Sequence, residues 1–332
     1  MSTNEKDTMA GGKGAGNKDI SQGIPFLATT PGVILGALGC CLLWGSAFPC
    51  IKIGYQLFQV DAADSASQLL FAGARFTLAG IMVVAFSSVR AGHPVVPRRR
   101  DAGTVLVLAL FQTVLQYVFF YMGLSKAAGI TSSIIEASFN FFAILFSALL
   151  FRQERLTGRK LLGCAVGLAG VVAVNLGGSG SVHFALDGEG LILVSALAGA
   201  MSTCLIQRFS ADHDPVMLSG WQFLVGGIVL VVMGLLGGGR LDATGAGSWA
   251  LLVYMAFISA AAYSVWSLLL QVNPVSRVSV FGFMNPVFGA VLSALLLSEG
   301  SVINPWLAVL ALVLVAVGIV IVNRAPKVAS SA

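Results

Sequence analysis

The sequence predicts an all-α integral membrane protein of ten transmembrane helices, built as two inverted repeats of five helices each. Three observations predict this fold class: an apolar composition, ten long apolar runs, and an internal repeat that relates the two halves of the chain. Of the 332 residues, 57% are hydrophobic and only 10% are charged, and the mean hydropathy is +0.90. Because soluble domains carry about 25% charged residues, most of this chain is expected to lie in a lipid bilayer.

The length of the apolar runs predicts helices rather than barrel strands. In lipid every backbone N–H and C=O group must be bonded within the protein, which leaves helices or a closed barrel. Barrel strands alternate polar and apolar residues, whereas the runs here are unbroken over roughly 20 residues. We predict the ten spans, in chain order, at residues 33–55, 68–89, 103–123, 128–151, 159–177, 188–208, 215–237, 247–270, 274–297 and 304–323.

Both ends of the chain are predicted to be tails. Residues 1–30 are rich in Gly, Lys and Asp and have no apolar core of the kind that a signal peptide needs. A polar segment of this composition buries too little apolar surface to fold, so we predict a disordered cytoplasmic tail there. Residues 326–332 are predicted to form a second cytoplasmic tail.

The distribution of Lys and Arg predicts the orientation. When successive loops are assigned alternately to the two sides of the membrane, fifteen of the nineteen basic residues fall on the side of the termini. The other side holds only Lys52, Lys126 and Arg240, and Arg75 lies within a span. Both termini are therefore predicted to be cytoplasmic, in a multi-pass protein of the cell membrane. Because the basic residues cluster at helix ends, the net charge of +5 does not indicate a nucleic-acid partner.

Corresponding segments recur in the same order in the two halves. The run from Asn140 to Glu154 matches the run from Asn285 to Glu299, with the same spacing between Asn and Glu. In the third and eighth predicted spans, three residues correspond at one constant offset, namely Thr113, Tyr117 and Phe120 with Ser259, Tyr263 and Trp266. Since each half has an odd number of spans, the second half enters the membrane from the opposite face. Such inverted repeats are typical of transporters.

These residues also resemble a known family. Ten spans, the sequence Leu43-Trp44-Gly45-Ser46 and the paired blocks ending in Glu154 and Glu299 are similar to the EamA family of the drug/metabolite transporter superfamily. The resemblance covers the chain from about 33 to 325 and implies one five-helix repeat at 31–178 and a second at 186–325. It also implies a central pocket bordered by the third, fourth, eighth and ninth helices together with the first and sixth.

Two charged residues lie inside predicted spans, Arg75 in the second and Glu136 in the fourth. A charge at membrane depth is costly, about 2.5 to 3.5 kcal/mol on insertion scales, and therefore needs an explanation. Counted at 1.5 Å per residue, the two side chains lie at a similar depth. One hypothesis makes them a structural ion pair. The other makes Glu136 a coupling or cation-recognising carboxylate that faces a central cavity, with the proton as the candidate coupling ion.

Polar and aromatic residues at helical spacing form faces on the third and eighth spans. These faces serve either interhelical packing or the lining of a cavity for a small organic solute. The resemblance favours the cavity and adds positions on other helices. The predicted substrate-binding residues are Trp44, Ser46, Gln112, Gln116, Tyr117, Glu136, Asn140, Ser202, Tyr263, Trp266 and Asn285.

A proline interrupts the ninth predicted span. Pro286 lacks a backbone N–H and frees a carbonyl near Gly282, so we predict a kink there and regard Pro286 as a gating candidate. Proline is also tolerated in membrane helices without a functional role, and that alternative stays open. Members of the resembling family commonly carry a proline at both corresponding positions, but here the counterpart in the fourth span is Phe141.

Several function classes lack their required residues. The three histidines, His93, His183 and His213, fall in predicted loops, no phosphate-binding P-loop motif occurs, and the five cysteines lack metal-ligand spacing. We therefore expect no enzymatic activity, no cofactor and no metal. The prediction is a secondary or facilitated transporter of small organic metabolites, amino acids or related compounds, working by alternating access, with export as the direction that the resemblance favours. A passive channel or a non-transporting membrane sensor is the alternative. The expected partners are a small-molecule substrate and the bilayer, and a homodimer is compatible with this reading.

Overall fold

The computed structural model describes residues 24–61, 63–124, 126, 129–175, 185–296 and 305–324. Throughout these residues the regular structure is helical, and no strand occurs among them. Most of the predicted N-terminal tail and the predicted tail at 326–332 lie outside the described residues, as does Glu299. The prediction that the N-terminal tail extends to residue 30 differs from the structure, because Ile24–Ala28 forms a short helix. Leu27 in this helix packs against the main hydrophobic core, and Asn273 donates a hydrogen bond of 2.9 Å to its carbonyl.

Ten longer helical segments follow, one for each predicted span. They are α1 (Thr30–Leu57), α2 (Ser65–Ala91), α3 (Arg99–Leu124), α4 (Gly129–Leu145, continued by Phe146–Leu150), α5 (Gly158–Asn175), α6 (Glu189–Phe209), α7 (Pro215–Leu236), α8 (Ala246–Val272), α9 (Val275–Leu296) and α10 (Pro305–Asn323). In the described part of the chain, nine of them are long and apolar enough to cross a membrane. The weaker tenth, α5, carries Arg159 and Lys160 in its first turn. The protein is thus an all-α integral membrane protein, as predicted.

Local sequence signals fix where several helices begin. The side chain of Thr29 accepts a hydrogen bond from the Gly32 amide at 3.1 Å, ahead of α1. The Asp214 carboxylate accepts hydrogen bonds from the first turn of α7, whose first residue is Pro215. Asp64 caps α2 in the same way, and its hydrogen bonds from Ser67 lower the pKa of the Asp64 carboxyl. Each of these side chains satisfies an amide that a helix start leaves without a partner.

Helix packing follows one pattern in both halves. The two most extensive pairings join α2 with α7 and α5 with α10. In addition, α1 packs on α8 and α9, and α6 packs on α3 and α4. When helices five places apart in the chain are exchanged, the pairings of α1 map onto those of α6, and the pairings of α2 with α7 and of α5 with α10 map onto themselves. The packing therefore has an approximate twofold character.

Glycines allow the closest of these approaches. A Cβ atom at Gly80 on α2 would lie 2.5 Å from the backbone nitrogen of Leu224 on α7. A Cβ atom at Gly163 on α5 would lie 2.8 Å from the carbonyl oxygen of Gly318 on α10. Small residues at these crossings let two helix backbones touch, which is a common source of helix association in membranes.

The ninth span is interrupted where the sequence predicts a kink. Residues Val280–Phe283 form a 3₁₀ turn between two α-helical pieces, immediately before Pro286. Because Pro286 has no N–H, the regular hydrogen bond to Gly282 cannot form, and the tighter turn takes its place. The fourth span has Phe141 at the corresponding position and continues there as an α-helix.

Candidate binding cavity

A cavity of about 540 Å³ lies between the two halves of the chain. Residues of α1, α2, α3, α4, α6, α8 and α9 line it, so it includes the six helices that the family resemblance implies and adds α2. Its volume falls within the usual range for small-molecule sites, about 300 to 1,000 Å³. The cavity brings together twelve of the residues that the sequence singles out: Trp44, Arg75, Gln112, Gln116, Tyr117, Glu136, Asn140, Ser202, Tyr263, Trp266, Asn285 and Pro286.

The structure places Ser46 elsewhere. Its hydroxyl donates a hydrogen bond of 2.8 Å to the carbonyl of Leu43 and lies 3.3 Å from the Tyr254 hydroxyl. Ser46 is two residues after Trp44 on α1, so the helical rotation of about 200° between them carries it away from the face that Trp44 presents. It is therefore absent from the described lining of the cavity.

Aromatic rings form much of the cavity wall. The ring of Trp44 meets those of Tyr263 and Trp266 edge-on, with centroids 5.0 Å apart in each case. The hydroxyl oxygens of Tyr117 and Tyr263 lie 3.1 Å apart and share a hydrogen bond. Edge-on contacts of this kind fix ring orientation and give the wall a defined shape.

Arg75 is held by aromatic rings. Its guanidinium carbon lies 4.3 Å from the ring centroid of Phe76 and 5.7 Å from that of Tyr117. Both distances fall within the range of cation–π attraction, about 6 Å. The residue is 4% exposed, and its Nε atom has no hydrogen-bond partner among the described residues.

Glu136 also lines the cavity but does not pair with Arg75. The ion pairs found within the described ranges do not include these two side chains. One carboxylate oxygen of Glu136, Oε2, is buried and has no hydrogen-bond partner in the same part of the chain. Of the two hypotheses that the sequence leaves open, the structural ion pair is therefore not the arrangement in this structure.

Two asparagines lie where α4 crosses α9. The side-chain nitrogen of Asn140 donates a hydrogen bond of 3.2 Å to the carbonyl of Ala137, and its Oδ1 atom packs directly on the backbone of Gly282. Gly282 is needed at this crossing because a Cβ atom there would collide with the Asn140 amide. Asn285 follows one turn later on α9, and both Oδ1 atoms are buried without a partner in the described structure.

The third span reaches the cavity through an irregular segment. Residues Ala109–Leu115 form a π-helix, a wide turn that often occurs at functional sites. Within it, the Thr113 hydroxyl donates a hydrogen bond of 2.6 Å to Gln222 on α7, which anchors the segment to the second half. Gln112 and Gln116, four residues apart, both face the cavity.

Other lining residues are not among the sequence predictions. On α1, Phe48, Ile51 and Tyr55 follow Trp44 at intervals of four, three and four residues, and on α4, Ser132 and Ser133 precede Glu136 by one turn. Helical spacing from Trp44 and Glu136 was the signal that could have identified them. The other additions, including Lys52, Tyr121, Phe139 and Thr203, carry no distinguishing pattern in the sequence.

The cavity extends toward one side of the membrane. Its lining reaches Leu124 and Ser293, near the ends of α3 and α9 that lie opposite the chain termini. Toward the terminus side, the lining stops at Thr203, Trp266 and Gly282, each about two helical turns before the end of its span.

Hydrogen bonds between the halves close the terminus side. The Glu154 carboxylate, four residues after the end of α4, accepts hydrogen bonds from Ser276 at the start of α9, from its amide at 3.0 Å and from its hydroxyl at 2.5 Å. Lys160 pairs with the same carboxylate at 2.8 Å. The Cys41 thiol on α1 donates to the carbonyl of Phe281 on α9 at 3.2 Å.

In the described part of the chain, membrane-spanning helices enclose a solute-sized cavity and pack in the same pattern in both halves, an arrangement typical of a polytopic membrane transporter. Residues 31–176, and again residues 186–324, match the model of the EamA-like transporter family, and the chain belongs to this family. It is 30% identical over 308 residues to YedA, an uncharacterized inner membrane transporter of Escherichia coli, covering 89% of this chain and 94% of that one. The resemblance implied by the sequence is thereby confirmed.

Two further proteins are similar over most of the chain. A probable amino-acid metabolite efflux pump of Escherichia coli is 28% identical over 276 residues, which cover 79% of this chain and 86% of the pump. One solved crystal structure superposes with a TM-score of 0.72 at 18% identity, covering 89% of this chain and 97% of the other, and supports the fold alone. The family and its named members are transporters rather than enzymes, so the chain has the membrane location and the small-molecule substrate of that class.

Proposed function

We propose that this protein is a secondary or facilitated transporter of small organic metabolites, amino acids or related compounds, and that it works by alternating access with export as its direction. The observation that carries the proposal is the cavity between the halves, whose aromatic wall holds several buried polar atoms without partners in the described structure. Buried polar atoms are normally satisfied, so atoms of this kind in a solute-sized cavity are the groups that a polar solute would bind.

Alternating access requires two related halves, and the helix packing supports their being inverted repeats. The pairings of α2 with α7 and of α5 with α10 join helices in corresponding positions. The family model matches the chain twice, once in each half. Five spans in each half place the second copy upside down relative to the first.

The closed end of the cavity supports a state in which the solute site faces one side of the membrane. With both termini in the cytoplasm, as the basic residues predict, the Glu154–Ser276 hydrogen bonds lie on the cytoplasmic side and the cavity faces outward. We propose that Pro286 and the 3₁₀ turn before it act as the hinge that lets α9 move when the closed side opens. Breaks in membrane helices commonly lie at such sites.

The coupling proposal concerns Glu136. A carboxylate inside a membrane that has no ion-pair partner is a group that can take up and release a proton during a transport cycle. Its Oε2 atom meets this condition among the described residues. We propose the proton as the coupling ion and Glu136 as the group that carries it. A homodimer stays a prediction from the sequence.

The testing experiment measures flux in proteoliposomes that contain the purified full-length protein. A panel of labelled amino acids, related metabolites and nucleobases is assayed in both directions, with and without a pH gradient. Saturable flux that unlabelled solute competes for is expected. Flux that does not saturate would indicate a channel, and the absence of flux for every compound would indicate a non-transporting sensor. Either result contradicts the proposal.

A further inference from the structure

The unpartnered polar atoms of the cavity divide by chemistry into two groups, each with its own place. The acceptor group consists of three oxygens on α4 and α9: Glu136 Oε2, Asn140 Oδ1 and Asn285 Oδ1. The donor group consists of Arg75 Nε and the hydroxyls of Tyr55 and Tyr121, on α2, α1 and α3. Two further unpartnered atoms, Trp44 Nε1 and Gln112 Oε1, belong to neither group. Apart from an interaction between the Tyr55 and Tyr121 hydroxyls, none of these atoms has a hydrogen bond within the described residues.

The acceptor group is built for a cation that has several N–H bonds. Glu136 and Asn140 are one turn apart and lie on the same face of α4. Asn140 packs on Gly282, one turn before Asn285, which brings the α4 and α9 oxygens to the same crossing. Because the Asn140 nitrogen is already bonded to Ala137, its oxygen is the atom left to accept. A carboxylate with two amide oxygens offers only acceptors, which suits an ammonium group.

The donor group is built for an anion. The guanidinium of Arg75 is held against Phe76 and Tyr117, so its direction is set before any solute arrives. Tyr55 and Tyr121 belong to the same hydrophobic cluster as Phe76, and their hydroxyls interact with one another but have no other partner within the described structure. A fixed guanidinium accompanied by phenol O–H donors matches a carboxylate, because charge-assisted hydrogen bonds to planar anions are among the strongest that proteins form.

We propose that the transported solute is a zwitterion held in one orientation, an inference that rests on the proposed function. Its ammonium group binds at Glu136, Asn140 and Asn285, and its carboxylate binds at Arg75. The absence of an Arg75–Glu136 ion pair in the described structure is part of this arrangement, since each charge is left for the solute. The aromatic rings of Trp44, Tyr263 and Trp266 then contact the apolar part of the solute.

The test compares an amino acid with its own two fragments. The twenty common amino acids are screened by thermal stabilisation of the detergent-purified full chain. For the strongest ligand, affinity is then measured beside that of its decarboxylated amine and its deaminated acid. The amino acid is expected to bind at least about tenfold more tightly than either fragment, because each fragment loses one charge-assisted contact.

Two variants distinguish the ammonium-binding end of the site from the carboxylate-binding end. Glu136→Gln is expected to weaken the amino acid and the amine by about tenfold and to leave the acid unchanged, whereas Arg75→Gln should weaken the amino acid and the acid only. Should the Arg75 variant fail to fold, Asn285→Ala provides a second test at the acceptor end, where the amine should weaken and the acid should not. Asp187→Asn, which removes an exposed carboxylate paired with Lys126, is the control and should change none of the affinities.

Several outcomes would overturn the inference. Equal loss of all three ligands in Glu136→Gln would show a structural role, and a fragment that binds as tightly as the amino acid would remove the need for two charges. Loss of binding when sodium replaces potassium, or the reverse, would assign the acceptor oxygens to a metal ion. If only uncharged solutes such as nucleobases are transported, the zwitterion inference fails while the transporter proposal stands. If no solute is transported, both fail.

Discussion

The hydroxyl oxygens of Tyr117 and Tyr263 lie 3.1 Å apart, and the two tyrosines occupy corresponding positions in the predicted repeats. Phe76 and Phe223 also correspond, since Phe76 precedes Gly80 by the same spacing with which Phe223 precedes Gly227. Their rings stack with the centroids 5.1 Å apart and the planes 5° from parallel. Residues that touch their own counterparts lie on the axis that relates two copies. Both pairs adjoin the cavity, which is where the proposed alternating access between inverted repeats would place this axis.

Removing the tyrosine hydrogen bond should loosen the contact between the halves. Tyr117→Phe and Tyr263→Phe are each expected to lower the free energy of unfolding by about 1 kcal/mol, since each loses the same bond. The double variant should lose little more than either single variant, which a double-mutant cycle in detergent would reveal. Tyr254→Phe serves as the matched control, because its exposed hydroxyl makes only a long contact of 3.3 Å with Ser46 and its loss should change the stability little. Fully additive losses would mean that the two hydroxyls do not interact.

Replacing Glu136 with Gln should abolish coupling while preserving the shape of the side chain. In the wild type, a pH gradient is expected to stimulate flux, whereas in Glu136→Gln the flux should no longer respond to the gradient, because the amide cannot take up a proton. Initial rates across a series of internal and external pH values measure this difference. A variant that remains stimulated by the gradient would exclude Glu136 as the coupling group.

The Glu154–Ser276 bridge should hold the terminus side closed. Glu154→Gln is expected to shift the equilibrium toward opening by about tenfold, because hydrogen bonds to a charged group contribute about 1.5 to 3 kcal/mol. Cys204 is a native reporter, since it is fully buried and its thiol donates to Ala143 on α4 at 3.4 Å. With the other four cysteines replaced by alanine, its rate of maleimide labelling should rise in the variant.

The control for this experiment is Asp212→Asn, an exposed loop carboxylate near the end of α6. Its labelling rate should equal that of the cysteine-reduced parent. Unchanged labelling in Glu154→Gln would mean that the bridge does not keep Cys204 inaccessible.

Adding a single methyl group at the crossing of α2 and α7 should destabilise the protein. In Gly80→Ala, the new Cβ would lie 2.5 Å from the Leu224 nitrogen, so one of the helices must shift. The expected loss is about 1 to 3 kcal/mol in the free energy of unfolding, the usual effect of overpacking. Gly39→Ala on α1 is the matched control, because beyond the neighbouring backbone of its own helix no described atom lies within 4 Å of its new Cβ. A loss of equal size at both positions would mean that the contact with Leu224 is not its cause, since Gly→Ala by itself favours a helix.

Restoring a hydrogen bond at the break in α9 should stiffen the proposed hinge. Pro286→Ala returns an N–H group that can bond to the carbonyl of Gly282. Thermal stability is expected to rise or stay level while the maximal rate of transport falls, because a continuous helix resists the change between states. Undiminished transport in a stable Pro286→Ala variant would remove Pro286 from the gating mechanism.

Much of the fold and of the cavity could be predicted from the sequence. The spans could be predicted because a bilayer leaves few ways to form the hydrogen bonds of the backbone N–H and C=O groups. Long apolar runs are therefore expected to be helices. Twelve of the thirteen residues singled out for a functional role line the cavity, because a buried charge or amide inside a membrane is costly unless it serves a purpose. Ser46 was the exception. It belongs to the motif Leu43-Trp44-Gly45-Ser46, which indicates the family but does not indicate toward which helix the Ser46 side chain points.

Two features of the cavity depend on side-chain geometry that the sequence does not encode locally. Equal depth made a pair between Arg75 and Glu136 reasonable, yet Arg75 lies against Phe76 and Tyr117 instead. The π-helical segment that aims Gln112 and Gln116 inward likewise has no signal in the residues themselves.

The sequence by itself determined that this is a ten-span helical membrane protein of the EamA-like transporter family, because hydropathy and repeated motifs act through short stretches of chain. Only the tertiary structure decided which polar atoms in the cavity have no partner among the described residues and which end of the cavity is closed. Those properties depend on how α4 crosses α9 and how α2 packs on α7. Such crossings are set by contacts between residues more than a hundred positions apart in the chain.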